Sequence, residues 1–152
     1  MVRALFHPGP TIYRHLHFKG IIRVPIDKLH EFKIYHYGYQ IENEFFWAGY
    51  DSAWEKISLH YWKELCKISE VIVDVGANTG IYALVAKTMN EKADVYAFEP
   101  IERNFDKLIY NCRLNDYKIH CEKKALSDTD GNAIVYEEPS NDIIYSVTVN
   151  KS

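Results

Sequence analysis

Asp74, Gly76, Asn78, Thr79 and Gly80 crowd into seven positions at the end of the apolar run Val71-Ile72-Val73. Residue types of this kind, at this spacing, hold ligands with backbone as much as with side chains. Gly76 and Gly80 let the chain bend sharply and approach a bound molecule closely. Asn78 and Thr79 stand where polar side chains meet the free N–H groups of a helix start. Asp74 faces the same crevice from the strand. One further acid, Glu99, follows about 20 residues after the glycines, the usual helix-plus-strand separation. A carboxylate there can accept both hydrogen bonds of a ribose diol, and one that closes a strand just before Pro100 has no evident packing role. Together the glycine turn and the acid locate an adenosine-containing ligand at the carboxyl ends of adjacent parallel strands. For Asp74 the competing reading is a strand-end cap on the turn that follows.

The type of adenosine ligand follows from the departures. A dinucleotide site wants Gly-x-Gly-x-x-Gly, yet Asn78 and Thr79 follow Gly76 and Ile81 fills the third glycine's place. That weakens a nicotinamide dinucleotide. The pattern Asp-x-Gly-x-Asn-x-Gly followed by Phe98-Glu99-Pro100 resembles the first motif and partner acid of class I S-adenosylmethionine-dependent methyltransferases. More narrowly, Val73-Asp74-Val75-Gly76-Ala77-Asn78-Thr79-Gly80-Ile81-Tyr82, Ala97-Phe98-Glu99-Pro100, Asn104, and Ala125-Leu126-Ser127-Asp128 with Gly131 resemble the FkbM family, over roughly residues 45–131. The resemblance implies S-adenosyl-L-methionine as cofactor, with Asp74 and Gly76 at its methionine end. Asn78, Thr79 and Gly80 would shape the turn, Glu99 would hold the ribose, Ile101 would flank the adenine, and Asn104 would lie close by. It implies O-methylation of a sugar or other small-molecule hydroxyl. Two rivals stand beside it: a non-catalytic nucleotide-binding or assembly module of the same fold, and an NAD-binding oxidoreductase. Asp128 reads as shaping a turn with Asp130-Gly131.

These residues need a scaffold. Val71 to Val75 and Val95 to Phe98 read as short buried strands, and Ile81, Leu84, Val85 and Met89 as the inward face of a crossover helix. Phe105, Leu108, Ile109 and Cys112 mark a second such helix after Pro100, leading to a third strand at about 120–124. The right-handed crossover rule orders the strands third, second, first. Upstream, Ser52-x-x-Glu55 has the form of a capping box, and Trp54, Ile57, Tyr61, Trp62, Leu65 and Ile68 predict a helix over 52–68 with that stripe facing the sheet. Residues 1–50 form a β-rich N-terminal extension, with strands at Gly20–Val24 and Phe32–Tyr37 around a turn at Asp27 to His30. The aromatic stretch Phe46 to Tyr50 reads as core packing ahead of a cover for the adenine or acceptor pocket. Ala133 to Tyr136 and Ile143 to Val149 read as a C-terminal β-hairpin. The expected fold is therefore α/β, a Rossmann-like doubly wound parallel sheet over residues 51–152. No later βαβ unit fits after Ser127, and the family's downstream Lys-x-Asp-x-Glu-Gly segment is missing. The reading is thus an incomplete class I domain, truncated or fragmentary, whose first strand keeps an unpaired apolar edge that invites self-association.

Composition narrows the remaining classes. The 152 residues suffice for one domain with a core, and 47% hydrophobic with 26% charged residues is ordinary for a globular chain. A net charge of -3, with Lys and Arg scattered, gives no case for nucleic acid. No run approaches a membrane span and no secretory leader is evident, so a cytoplasmic location is expected by default. Cys66, Cys112 and Cys121 read as reduced, mostly buried residues outside any disulfide or zinc framework. His15-x-His17 reads as solvated surface, no metal site is expected, and no residue stands out as a catalytic base.

Overall fold

A computed structural model describes residues 8–52, 55–128, 131 and the strand segments 133–137 and 147–151. In chain order it contains α1 (Pro10–Tyr13), β1 (Gly20–Pro25), β2 (Glu31–His36), α2 (Gln40–Trp47), a 3-10 turn (Tyr50–Ser52), α3 (Lys56–Cys66), β3 (Val71–Val75), α4 (Ile81–Met89), β4 (Asp94–Phe98), α5 (Glu102–Leu114), β5 (His120–Glu122), β6 (Ala133–Glu137) and β7 (Val147–Lys151). The chain is mixed α/β. The expected turn, hairpins and strand order are present: β3, β4 and β5 form a parallel sheet in that spatial order, and β1–β2 and β6–β7 are antiparallel pairs. The second hairpin strand is described over Val147–Lys151, and positions 143–146 of its expected range lie outside the described residues.

The sheet is covered on one face. Ile72, Asp74, Val95 and Ala97 are buried beneath the helices, while Val71, Val73 and Val75 on the opposite face are 60%, 47% and 59% exposed. A doubly wound sheet would bury both faces; among the described residues the second layer is missing. On its outer side β3 also has no partner strand among the described residues. No helix among the described residues is long and apolar enough to cross a membrane.

The N-terminal hairpin packs on the helices as a further layer. Period-two alternation buries Ile22, Val24, Phe32, Ile34 and His36. Asp27 forms its turn, its carboxylate accepting the N–H groups of Leu29 and His30 at 2.8 and 2.9 Å. The free edge of β2 runs beside α5 and is sealed by two asparagines one helical turn apart. The Asn115 side chain takes both the N–H and the C=O of Lys33, each at 2.7 Å, and Asn111 Oδ1 accepts the N–H of Tyr35 at 2.9 Å. These amides replace a neighbouring strand and blunt the edge.

Two helices depart from expectation. α2 was not legible among the aromatics; Glu42 builds it by accepting the N–H groups of Tyr37 and Tyr39, both at 3.0 Å, with Oε2. Of the aromatic stretch read as core packing, Tyr50 is buried and donates to the carbonyl of Leu59 at 2.9 Å, Phe46 is half-buried against the core and Trp47 is half-buried; Phe45, just before the stretch, is buried too. α3 begins at Lys56, not at Ser52, and the residue before it, Glu55, adopts left-handed backbone at φ 54; its carboxylate accepts the Tyr82 hydroxyl instead of closing a capping box. The face of α3 is corrected as well. Leu59, Cys66 and half-buried Trp62 pack inward, whereas Ile57, Tyr61, Leu65 and Ile68 lie on the exposed side. The helix is apolar on both sides, so periodicity alone could not choose between two stripes. Trp54 lies outside the described residues.

A glycine turn clamped by two buried carboxylates

β3 ends in a turn whose backbone is fixed from the neighbouring strand. The N–H groups of Gly76 and Ala77 both donate to the carbonyl of Phe98 at 2.9 Å. Gly76 (φ 78) and Gly80 (φ 93) adopt left-handed backbone, as does Asn78 (φ 49), a residue that tolerates that region. The two glycines differ in what surrounds them. A Cβ on Gly80 would lie 2.5 Å from Leu108 Cδ1, so this glycine serves the contact between the turn and α5. A Cβ on Gly76 would meet nothing within 4 Å, so its bare backbone faces open space.

Glu99 is buried at the end of β4. Its Oε2 accepts the N–H of Asn78 at 2.8 Å and its Oε1 the N–H of Ile101 at 2.9 Å. The expectation that this acid lacks a packing role is therefore corrected. It ties the glycine turn to the start of α5, and two charge-assisted bonds to backbone amides are among the stronger ones available. Each carboxylate oxygen retains a second acceptor site.

Asp74 does for α4 what the helix's own N-cap cannot. Gly80 holds the cap position and has no side chain, so Asp74 Oδ2 reaches across from β3 to accept the N–H of Ala83 at 3.0 Å. This is the capping role weighed against ligand binding. Burial pushes the Asp74 carboxyl up to about 6; the Ala83 N–H opposes the rise and the charge of Glu99 adds to it.

The remaining candidate residues fall on either side of this frame. Ile101 is the buried N-cap of α5, and Asn104 is buried in the first turn, its N–H bonded to the Ile101 carbonyl. Thr79 is buried on the packing side, where its carbonyl accepts Asn111 Nδ2 at 2.8 Å. The structure thus places Asp74, Gly76, Asn78, Glu99 and Ile101 around one turn, and gives Thr79 and Gly80 to the contact with α5. Nothing here forms a nucleophile with an adjacent base. The arrangement can present backbone, a carboxylate and an apolar side chain to a neutral or cationic ligand, and can hold it without covalent chemistry.

Sequence reasoning missed Asn111. It is 1% exposed and joins the hairpin to the glycine turn, through Tyr35 on one side and Thr79 on the other. The available signal was an amide beside Leu108 and Cys112 on the inward helix face, repeated four residues on at Asn115. Also unread was a buried polar group in the N-terminal layer. The His36 ring meets Phe18 in a tilted contact, centroids 4.1 Å apart, accepts the Gly38 N–H with Nδ1 at 3.1 Å, and lies 3.9 Å from Glu42 Oε2. Burial lowers the His36 pKa and pushes Glu42 up to about 7. His15 and His17 are exposed, and no cluster of three His, Cys, Asp or Glu groups suited to a metal occurs among the described residues. All three cysteines are free thiols, with Cys66 and Cys112 buried and Cys121 half-buried. Compared with protein-family models, curated proteins and solved structures, the chain matches none.

Proposed function

We propose that the chain carries the cofactor-binding part of a Rossmann-like, S-adenosylmethionine-dependent methyltransferase acting on a hydroxyl of a sugar or other small molecule. The observation that supports this reading best is Gly76. It combines left-handed backbone with open space beside it, at the carboxyl end of β3 and next to the buried acid that closes β4. Ligands of open parallel sheets bind at that end of the strands. A sulfonium ligand suits the site electrostatically, since its positive charge would meet Asp74 and Glu99, neither of which bonds a cation among the described residues. Methyl transfer asks for an in-line approach and a dry site more than for an acid or base, which fits a turn without a catalytic pair. Ile101 would lie along the adenine and Asn104 beside it.

A second reading is favoured by a specific observation. Both candidate acids already bond backbone amides, which is what a turn kept for its architecture would show, and it leads to a non-catalytic module of the same fold. Calorimetric titration of S-adenosylhomocysteine separates the two. Binding in the wild-type chain, weakened more than about tenfold in a folded Glu99→Gln variant, supports the cofactor site. No binding puts the non-catalytic module first.

A further inference from the structure

The hairpin and α5 assemble a second surface, lined by none of the glycine-turn residues, that the order of residues in the chain conceals. Lys19, Tyr35, Tyr37 and Tyr110 line an open groove of about 410 Å³. Tyr35 sits at the centre of its aromatic wall, with ring centroids 4.7 Å from Tyr37 and 5.7 Å from Tyr110, at interplanar angles of 52° and 79°. The wall continues to Tyr39, 6.2 Å from Tyr37. Behind it the Lys107 ammonium lies 5.0 Å over Tyr37 and 4.4 Å over Tyr39, and bonds the Tyr39 hydroxyl. Burial pushes the Tyr37 phenol up to about 12, so that hydroxyl stays neutral and able to donate.

Rings in this position need an account. Tyr110 is 40% exposed, and its ring meets Tyr35 edge-on without completing a core. On a chain of net charge -3, the charges here are ammonium groups: Lys19 on the rim, which forms no ion pair among the described residues, and Lys107 behind. The acid whose charge acts on Tyr37, Glu42, is buried and spends Oε2 on the N–H groups of Tyr37 and Tyr39, and none of the four residues lining the groove is acidic. Aromatic faces beside lysines fit a flat ring joined to an anion. A base stacked on one tyrosine keeps its other face in water, which an open groove allows, and a phosphate is the anion a rim ammonium holds best. The volume falls at the lower end of small-ligand sites and takes one nucleotide.

We infer that the groove of Lys19, Tyr35, Tyr37 and Tyr110 binds a pyrimidine or purine nucleotide, base on tyrosine and phosphate on Lys19, either free or as the end of a single strand. The inference is independent of the transferase reading, since it shares no residue with the glycine turn. NMR-detected titration with uridine 5′-monophosphate tests it. The base avoids confusion with an adenosine pocket, and the amides that shift identify the site. Shifts are expected at Lys19, Tyr35, Tyr37 and Tyr110, with uridine and ribose 5-phosphate each binding at least about fivefold more weakly than the nucleotide. Tyr110→Ala and Lys19→Ala, both checked for unchanged thermal unfolding, are each expected to cost about fivefold or more. Lys19 is exposed, so its variant carries the test if Tyr110→Ala does not fold. Oligouridylate binding about tenfold tighter than the mononucleotide identifies a strand end, and equal binding identifies a free nucleotide. No shifts up to about 10 mM nucleotide, shifts confined to residues 76–80 and 99, or full affinity in Lys19→Ala would overturn it.

Discussion

Replacing Asn111 by alanine tests how the N-terminal layer is held to the glycine turn. Asn111 is 1% exposed and makes two long-range bonds, accepting from the Tyr35 N–H at 2.9 Å and donating to the Thr79 carbonyl at 2.8 Å. Truncation leaves a donor and an acceptor of the backbone without partners, at about 1–3 kcal/mol each. The smaller side chain cannot recover that, and the site is too enclosed for water to do so at the Thr79 end. The expected loss is about 2–5 kcal/mol, against a total stability of about 5–15 kcal/mol for a domain of this size. Urea unfolding, read as a midpoint shift at constant slope, measures it. Asn115→Ala is the internal control. That amide makes two bonds to Lys33 and one to the Asn111 carbonyl, yet is only half-buried, so water can replace it and the cost should stay near 1 kcal/mol. A loss under about 0.5 kcal/mol for Asn111→Ala, or one no larger than that of Asn115→Ala, would refute the claim that burial makes this residue the joint.

Three further outcomes follow from the same geometry. Gly80→Ala combines left-handed backbone with a 2.5 Å approach to Leu108 and should cost about 2–4 kcal/mol, while Gly76→Ala carries only the backbone strain of about 1–2 kcal/mol. Equal thermal shifts for the two would contradict the packing assignment. Glu42, raised from the ordinary 4.5 to about 7, and Asp74, raised to about 6, hold protons in the native state that the unfolded chain has released. Their stabilising contribution is therefore present below the usual carboxylate range and lost as pH rises through 6 and 7, while His36, lowered by burial, acts in the opposite direction near its ordinary value. Relative to wild type, Glu42→Gln should gain stability between pH 5 and 8 by an amount on the order of 3 kcal/mol, and a pH-independent difference would contradict this. The bare valine face and free edge of β3 should make the chain associate as concentration rises in sedimentation velocity, and Val73→Lys should suppress it. A wild-type monomer at every concentration would count against that edge as an interface.

The glycine turn, the three-strand order, the N-terminal hairpin and the terminal hairpin were legible because each rests on short-range signals. These are alternation of two, recurrence of three and four, and turn residues between apolar runs. The same signals went wrong at α3, where apolar residues occur on both sides of the helix. Local pattern says that such a helix forms, and only the position of α4 says that Leu59, Trp62 and Cys66 face inward. Glu99 shows the limit at the candidate site. Its separation from the glycines marked it as a ligand-binding acid, but its bonds to the Asn78 and Ile101 amides appear once β4 and the turn are side by side. Asn111 and the tyrosine groove lay further out of reach, since Tyr35 and Tyr110 meet across 74 intervening positions. What the sequence by itself determined was the set of elements and where the chain bends, because propensity and periodicity act over a few residues. Tertiary structure decided which polar groups became structural and which faces stayed open, because desolvation and hydrogen-bond partners depend on neighbours brought together only by folding.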